Sequence, residues 1–235
     1  MIYPASHTFK TAYLMPDTAP DQPALAKKKT LSNMAKLAPD KAAIAQLPSF
    51  AGLTLAQIHV PDTEPAFAAA CAKILAAGAV GFDTESKPTF IAGDISSGPH
   101  LVQFALQNEA YLFQIHHPAA HPYLIAMLSA QPLLKIGFGL QSDNKHILAR
   151  LGIRAAGLLD LNRVFSMQGY HKEIGVKAAV ALVLGQRYAK SRKVTTSNWS
   201  LHKLSEAQLR YAANDAYAAL QVYSALALPR DAPSI

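Results

Sequence analysis

The chain has 235 residues, of which 51% are hydrophobic and 16% charged, so it can build a sizeable core, and wholesale disorder is excluded. Cys71 is its single cysteine, which excludes an internally disulfide-bonded secreted scaffold and a cysteine-based zinc finger. Lys and Arg outnumber Asp and Glu by 22 to 15, for a net charge of +7; a balance of that sign favours polyanions as partners, nucleic acid before an anionic membrane surface.

Residues 1–50 hold Pro4, Pro16, Pro20, Pro23, Pro39 and Pro48, the basic triplet Lys27-Lys28-Lys29 and little periodicity. They are expected to form a weakly structured N-terminal arm, with residues 51–235 as the folded domain. The triplet fits a solvated face or an auxiliary phosphate contact. The opening shows no basic-then-apolar secretory pattern, and the longest nearly apolar run, Phe67 to Phe82, is interrupted by Lys73. A cytoplasmic protein that does not span a membrane is expected.

Beyond residue 52 the patterns sharpen. Leu53 to Val60 alternates loosely and fits a short strand. Glu64 to Ala77 has helical spacing, with Phe67, Cys71 and Leu75 on one stripe and Gly78 as its stop. Ala79 to Asp83 is a short buried strand, and Leu101 to Leu106 with Ala110 to Ile115 form a hairpin around Gln107-Asn108-Glu109. A helix over 122–130, a strand over 133–138, a helix from about 142 to 151 and a strand over 157–161 follow. Residues 163–169, 175–184 and 205–226 read as helices. Strands first, then β-α-β, then helices indicates a mixed sheet with helices on both faces.

Four carboxylates stand where carboxylates are unfavourable unless used. Asp83 and Glu85 end the buried strand in Phe82-Asp83-Thr84-Glu85. Strand period is two, so both point to one face, where they repel each other and need a cation. Asp143 follows the next apolar strand, at the end of Gly139-x-x-x-Asp143, where it would serve equally as a helix cap. Asp215 lies four residues after Tyr211 on a helical segment, so the two share a face. Together, hard oxygen ligands on strand ends and helices match divalent-metal chemistry. Two Mg²⁺ ions about 3.5–4 Å apart are the usual clamp for phosphodiester displacement.

The set Phe82-Asp83-Thr84-Glu85, Gly139-x-x-x-Asp143 and Tyr211-x-x-x-Asp215, in this order, resembles the DEDD superfamily of 3′–5′ exonucleases. The tyrosine four residues before the last Asp resembles its tyrosine subclass, which includes ribonuclease D and the Werner-type exonuclease domain. Lys87-Pro88, Leu101-Val102-Gln103-Phe104-Ala105, Val183-Leu184-Gly185, Thr196-Ser197-Asn198-Trp199-Ser200 and Leu204-Ser205 agree with it, and the likeness covers roughly 52–228. It implies a ribonuclease H-like α/β fold, a mixed five-stranded sheet flanked by helices. It implies a metal-dependent exonuclease that hydrolyses terminal phosphodiesters of DNA or RNA to nucleoside monophosphates with two Mg²⁺ or Mn²⁺ ions per site. Asp83, Glu85 and Asp215 are then expected to hold one metal, Asp83 to bridge to the second, Asp143 to support the second, and Tyr211 to orient or deprotonate the attacking water. The rival reading is a non-catalytic nucleic-acid-binding module of the same fold.

Between Asp143 and Arg210 stand twelve Lys or Arg against four acids, so single-stranded or 3′-ended nucleic acid is expected to meet this stretch. Its run Arg187-Tyr188-Ala189-Lys190-Ser191-Arg192-Lys193 fits a solvated loop or a backbone clamp through Arg187, Lys190, Arg192 and Lys193. Thr84 and Lys87, beside the first acids, are further candidate substrate contacts. Trp199 reads as a packed anchor, Gly137-x-Gly139 as a close-approach turn, and the group His116, His117 and His121 as turn or surface residues in preference to a zinc site.

Overall fold

The computed structural model describes residues 36–89, 97–170 and 172–228; the Lys27-Lys28-Lys29 triplet and the first 35 residues of the expected arm lie outside them. In chain order the elements are α1 (Lys41–Ala45), β1 (Ile58–His59), α2 (Glu64–Ala77), β2 (Ala79–Glu85), β3 (Leu101–Ala105) and β4 (Ala110–Gln114). There follow α3 (His121–Ser129), β5 (Leu134–Gly137), α4 (Leu140–Leu151), β6 (Leu158–Asp160), α5 (Leu161–Met167), α6 (Val176–Ala179), α7 (Arg192–Thr195) and α8 (Glu206–Leu226). The sheet is mixed, in the order β1-β4-β3-β2-β5-β6. β2, β3 and β4 form an antiparallel meander, β5 and β6 run parallel to β2, and β1 runs parallel to β4.

The sheet has six strands among the described residues, against the five that the resemblance implies. The sixth is the two-residue edge strand β1. The strand expected over 53–60 shrinks to it because Leu55–Gln57 forms a turn of 3₁₀ helix closed by reciprocal bonds between Thr54 and Gln57. Part of the expected arm, residues 36–50, carries α1 and two single bridges to the domain, Lys36 with Tyr170 and Ser49 with Arg187.

Strand alternation sorts the sheet into two faces. Register puts Phe82 opposite Phe104 and Phe104 opposite Tyr111, all on one face. Phe67 and Ile74 of α2, Leu124 and Met127 of α3, and Leu140 and Ile147 of α4 pack there. The buried stripe of α2 is Phe67, Ala70, Cys71 and Ile74, while Leu75 is 40% exposed. At 3.6 residues per turn, a step of four drifts off a stripe that a step of three restores. The other face carries Asp83, Gln103 and Leu112 in register, and α8 lies across it with Ala212, Ala213 and Ala216.

Small residues make that crossing close. A Cβ on Gly81 would run into the backbone carbonyl of Ala216, so only glycine lets α8 sit directly on β2. Gly137 does the same on the other side, where a Cβ would meet the Phe82 carbonyl and the Leu140 side chain. α8 starts at a capping box, in which the Ser205 hydroxyl accepts from Gln208 N–H and the Gln208 side chain accepts from Ser205 N–H. The Gln208 amide also donates to Ser197 Oγ and the Asn198 carbonyl. Trp199, 1% exposed, is the packed anchor that the sequence suggests, 5.8 Å from the Tyr211 ring. Asn214 ties the helix to the chain before β1 by accepting from Leu53 N–H at 2.6 Å.

Candidate active site

Three of the four acids converge. Asp83 and Glu85 reach out on one face at the C-terminal end of β2, and α8 brings Asp215 over them through the close contact at Gly81. Asp83, Glu85 and Asp215 each offer an oxygen within 4.8 Å of the others. Asp143 approaches separately, on the first turn of α4, and is buried. Thr84 points to the opposite side of β2 from its neighbours and donates its hydroxyl to Asp143 Oδ1, while its N–H donates to Asp83 Oδ1 at 2.9 Å. Thr84 is thus a spacer between the fourth acid and the other three.

The electrostatics are those of a site short of positive charge. Burial raises the Asp83 pKa well above the usual carboxylate range, and the Asp143 and Asp215 carboxylates add to it. Glu85 is pushed up to about 10 by burial and then by Asp83 and Asp215. Burial also raises Asp143, against the opposing Thr84 hydrogen bond. Asp215 goes up through burial as well, although its partners pull it down. Those partners are Lys190, whose Nζ lies 2.6 Å from Oδ2, then Tyr188, whose hydroxyl donates to Asp215 Oδ1 at 2.6 Å, and the Tyr211 hydroxyl. For Lys190, burial lowers the pKa, but the pull of Asp215 exceeds it and the net shift is upward.

This donor set fits a hard divalent ion. An octahedral ion with oxygen bonds of about 2.1 Å spreads its ligands over about 4.2 Å at most, so a small closure of the three side chains brings their oxygens into one coordination shell. Among the described residues, no other group of His, Cys, Asp and Glu is arranged to hold an ion. His116 stacks on His202, with ring centroids 4.1 Å apart, and is tilted against His117 at 4.2 Å, while His121 bonds the Ile115 carbonyl.

Tyr211 is buried, four residues before Asp215 on the same helix; its hydroxyl accepts from Thr195 Oγ1 at 2.9 Å. Burial, then the Asp215 charge, pushes its pKa up to about 12, so it is protonated at neutral pH. The basic run divides. Arg187 donates to the Ala45 carbonyl and Ser49 Oγ. Lys190 turns into the acidic cluster. Arg192 and Lys193, on α7, are exposed, as is Lys87, whose backbone N–H donates to His100.

Several contributors to the site are not visible in the sequence pattern. Tyr188 stands inside a run that its charges alone single out. Asp160 caps the turns beside Asp143, accepting from Gly139 N–H at 3.1 Å, Leu140 N–H at 3.0 Å and Asn162 N–H at 2.9 Å; an acid at a strand end followed by a helix is the available signal. Gln103, fully buried directly opposite Asp83, has neither amide atom bonded to another group of the protein.

Comparison with known proteins bears on this geometry. A family model described as 3′–5′ exonuclease matches residues 58–229. A 3′–5′ exonuclease of Arabidopsis thaliana is 27% identical over 149 residues, covering 63% of this chain and 52% of that protein. The bifunctional 3′–5′ exonuclease/ATP-dependent helicase WRN of Mus musculus is 30% identical over 149 residues, 63% of this chain and 11% of that protein. The chain therefore spans about half the length of one curated relative and a small part of the other. In fold it resembles the Nibbler EXO domain of Aedes aegypti, with a TM-score of 0.64 at 24% identity over 76% of this chain and 94% of that one. It also resembles Trypanosoma brucei RNase D in complex with RNA U12, with a TM-score of 0.65 at 21% identity over 82% and 66%.

Proposed function

The chain belongs to the DEDD 3′–5′ exonuclease family, and from that premise we propose that it removes nucleoside monophosphates one at a time from the 3′ end of a single strand, using two Mg²⁺ or Mn²⁺ ions. The observation that carries the reading is the convergence of Asp83, Glu85 and Asp215 within 4.8 Å. All three would hold one ion, Asp83 would bridge to the second, and Asp143 would support the second ion from across Thr84. The bound ions would acidify the attacking water and offset charge on the leaving 3′-oxygen. Tyr211 holds and orients that water through its hydroxyl, since a phenol with its pKa near 12 is a poor base at neutral pH. Thr195 fixes the hydroxyl in place by donating to it.

Arg192 and Lys193, exposed on the segment that leads from Lys190 to Trp199, meet the phosphates without reading bases. Both DNA and RNA stand as substrates, and the RNA bound by the trypanosomal neighbour supports including RNA. The test uses 5′-labelled single-stranded DNA, duplex DNA with overhangs, and RNA, each with Mg²⁺, Mn²⁺ or chelator. A ladder that shortens from the 3′ end only with metal is the expected result. Strand binding with no cleavage under any metal would leave the non-catalytic module as the reading.

A further inference from the structure

The loop between α6 and α7 folds back on α8 and engages both oxygens of one metal-ligand carboxylate. Tyr188 takes Asp215 Oδ1 and Lys190 takes Oδ2, each at 2.6 Å. The Lys190 ammonium also lies 5.0 Å over the ring of Tyr211. The Asp215 side chain is 3% exposed and that of Lys190 24%, so the two charges meet where water screens them little. The neighbouring basic side chains do otherwise: Arg187 is bonded to residues 45 and 49, while Arg192 and Lys193 face solvent. Among the described residues, Lys190 is the one Lys or Arg that is ion-paired with any of the four acids.

We propose that Lys190 is the resident cation of the acidic cluster: it neutralises Asp215 while no divalent ion is bound, and metal must displace it to load the site. Lys190 therefore lowers the chain's affinity for metal and stabilises its metal-free fold. This inference rests on the metal-dependent reading of the site. Its physical basis is competition for one oxygen and one charge. Asp83, Glu85, Asp143 and Asp215 carry four formal negative charges when ionised, which two divalent ions cancel in full. The ammonium then has no net charge left to pair with, and its contact with Oδ2 stands where a metal bond would form. A lysine suits the task because its compact ammonium rides on a flexible four-carbon stem. Once released, it rejoins the surface that carries Arg192 and Lys193, so metal loading also adds a positive charge where phosphates are met.

The test is Mn²⁺ titration by calorimetry on the full chain, with melting temperatures in chelator and in saturating Mn²⁺. The proteins are the wild type, Lys190→Met, Lys190→Gln and Tyr188→Phe. Lys190→Met removes the charge and keeps the stem; Lys190→Gln keeps a hydrogen-bond donor and serves if the Met variant does not fold without metal. Both are expected to bind Mn²⁺ at least about tenfold more tightly than wild type, a gain of about 1.4 kcal/mol, and to melt lower in chelator. Tyr188→Phe loses a bond to the same carboxylate but no charge, and its Mn²⁺ affinity should stay within about threefold of wild type. Equal or weaker Mn²⁺ binding by the folded Lys190 variants would overturn the inference, as would an equal gain in Tyr188→Phe. Absence of Mn²⁺ binding by wild type and variants alike would overturn the metal reading itself.

Discussion

Asp83→Asn and Asp215→Asn should both abolish turnover yet move the stability of the metal-free protein in opposite directions. Asp83 has two carboxylate neighbours within 4.8 Å, opposed by the charge of Lys190, which is ion-paired to Asp215 and not to Asp83, and by the Thr84 N–H. Two full charges at that distance repel by about 3.5 kcal/mol at an effective dielectric constant of about 20. The cluster sheds much of this by retaining protons, so the relief on removing one charge is about 1–2 kcal/mol. In a chain of this size, that raises the melting temperature by about 2–8 °C. Asp215 is different because Lys190 and Tyr188 depend on it. Removing one partner of a buried pair costs about 3–5 kcal/mol; Lys190 keeps some access to water, so about 1–3 kcal/mol is expected, and the melting temperature falls. The wild type should also respond to pH. Glu85, raised from an ordinary value near 4.3 to about 10, gives stability that is fully present below the lower value and is lost as pH rises toward the upper one. Metal-free wild type should therefore melt lower at pH 8.5 than at pH 5.5, and Asp83→Asn should flatten that slope. Scanning calorimetry in chelator at several pH values, repeated with Mn²⁺, measures all of this. A lower melting temperature for Asp83→Asn than for wild type at pH 8, or a higher one for Asp215→Asn, would refute the account of who repels and who is paired.

Tyr211→Phe deletes only the hydroxyl, and turnover should fall by roughly 10²–10⁴ with Mn²⁺ affinity nearly unchanged. Loss of the Thr195 bond should cost about 1 kcal/mol of stability; single-turnover kinetics and Mn²⁺ titration on one preparation separate these effects, and a parallel loss of metal binding would make the hydroxyl structural. Gly81→Ala drives a methyl group into the Ala216 carbonyl, so it should cost about 1–3 kcal/mol and weaken metal binding by lifting Asp215 away from Asp83, read by calorimetry on the same samples. Binding of single strands should weaken steeply with salt, and replacing Arg192 and Lys193 by Ser should reduce the log-log slope by about 0.7 for each phosphate that is no longer neutralised. Arg187→Ser should instead lower the melting temperature and leave the slope in place, because its guanidinium is bonded to the 45–49 segment.

What the sequence disclosed about this site was the part that periodicity within single elements encodes. Alternation along 79–85 puts Asp83 and Glu85 on one face, and helical spacing puts Tyr211 on the side of Asp215. Those inferences hold because each compares residues on one regular backbone. The face that Lys190 meets is of another kind. Within 187–193 it is one of four similar cations, and nothing local separates the two exposed on α7 from the one bonded to residues 45 and 49 or from the one turned onto α8. That choice is made by where the loop lands when α8 closes on β2, a contact set by Gly81 and Ala216, far apart in sequence. Gln103 shows the same limit in a strand. The tight 105–110 turn ties β3 to β4 and suffices to put Gln103 opposite Leu112. The connection from Glu85 to Leu101 is too long for turn geometry to fix a register, so its position opposite Asp83 could not be read from spacing. A buried amide without a protein partner costs about 1–3 kcal/mol, and this one is borne beside the carboxylates. Residues placed by tertiary closure are therefore the ones that spacing within a single strand or helix does not reach.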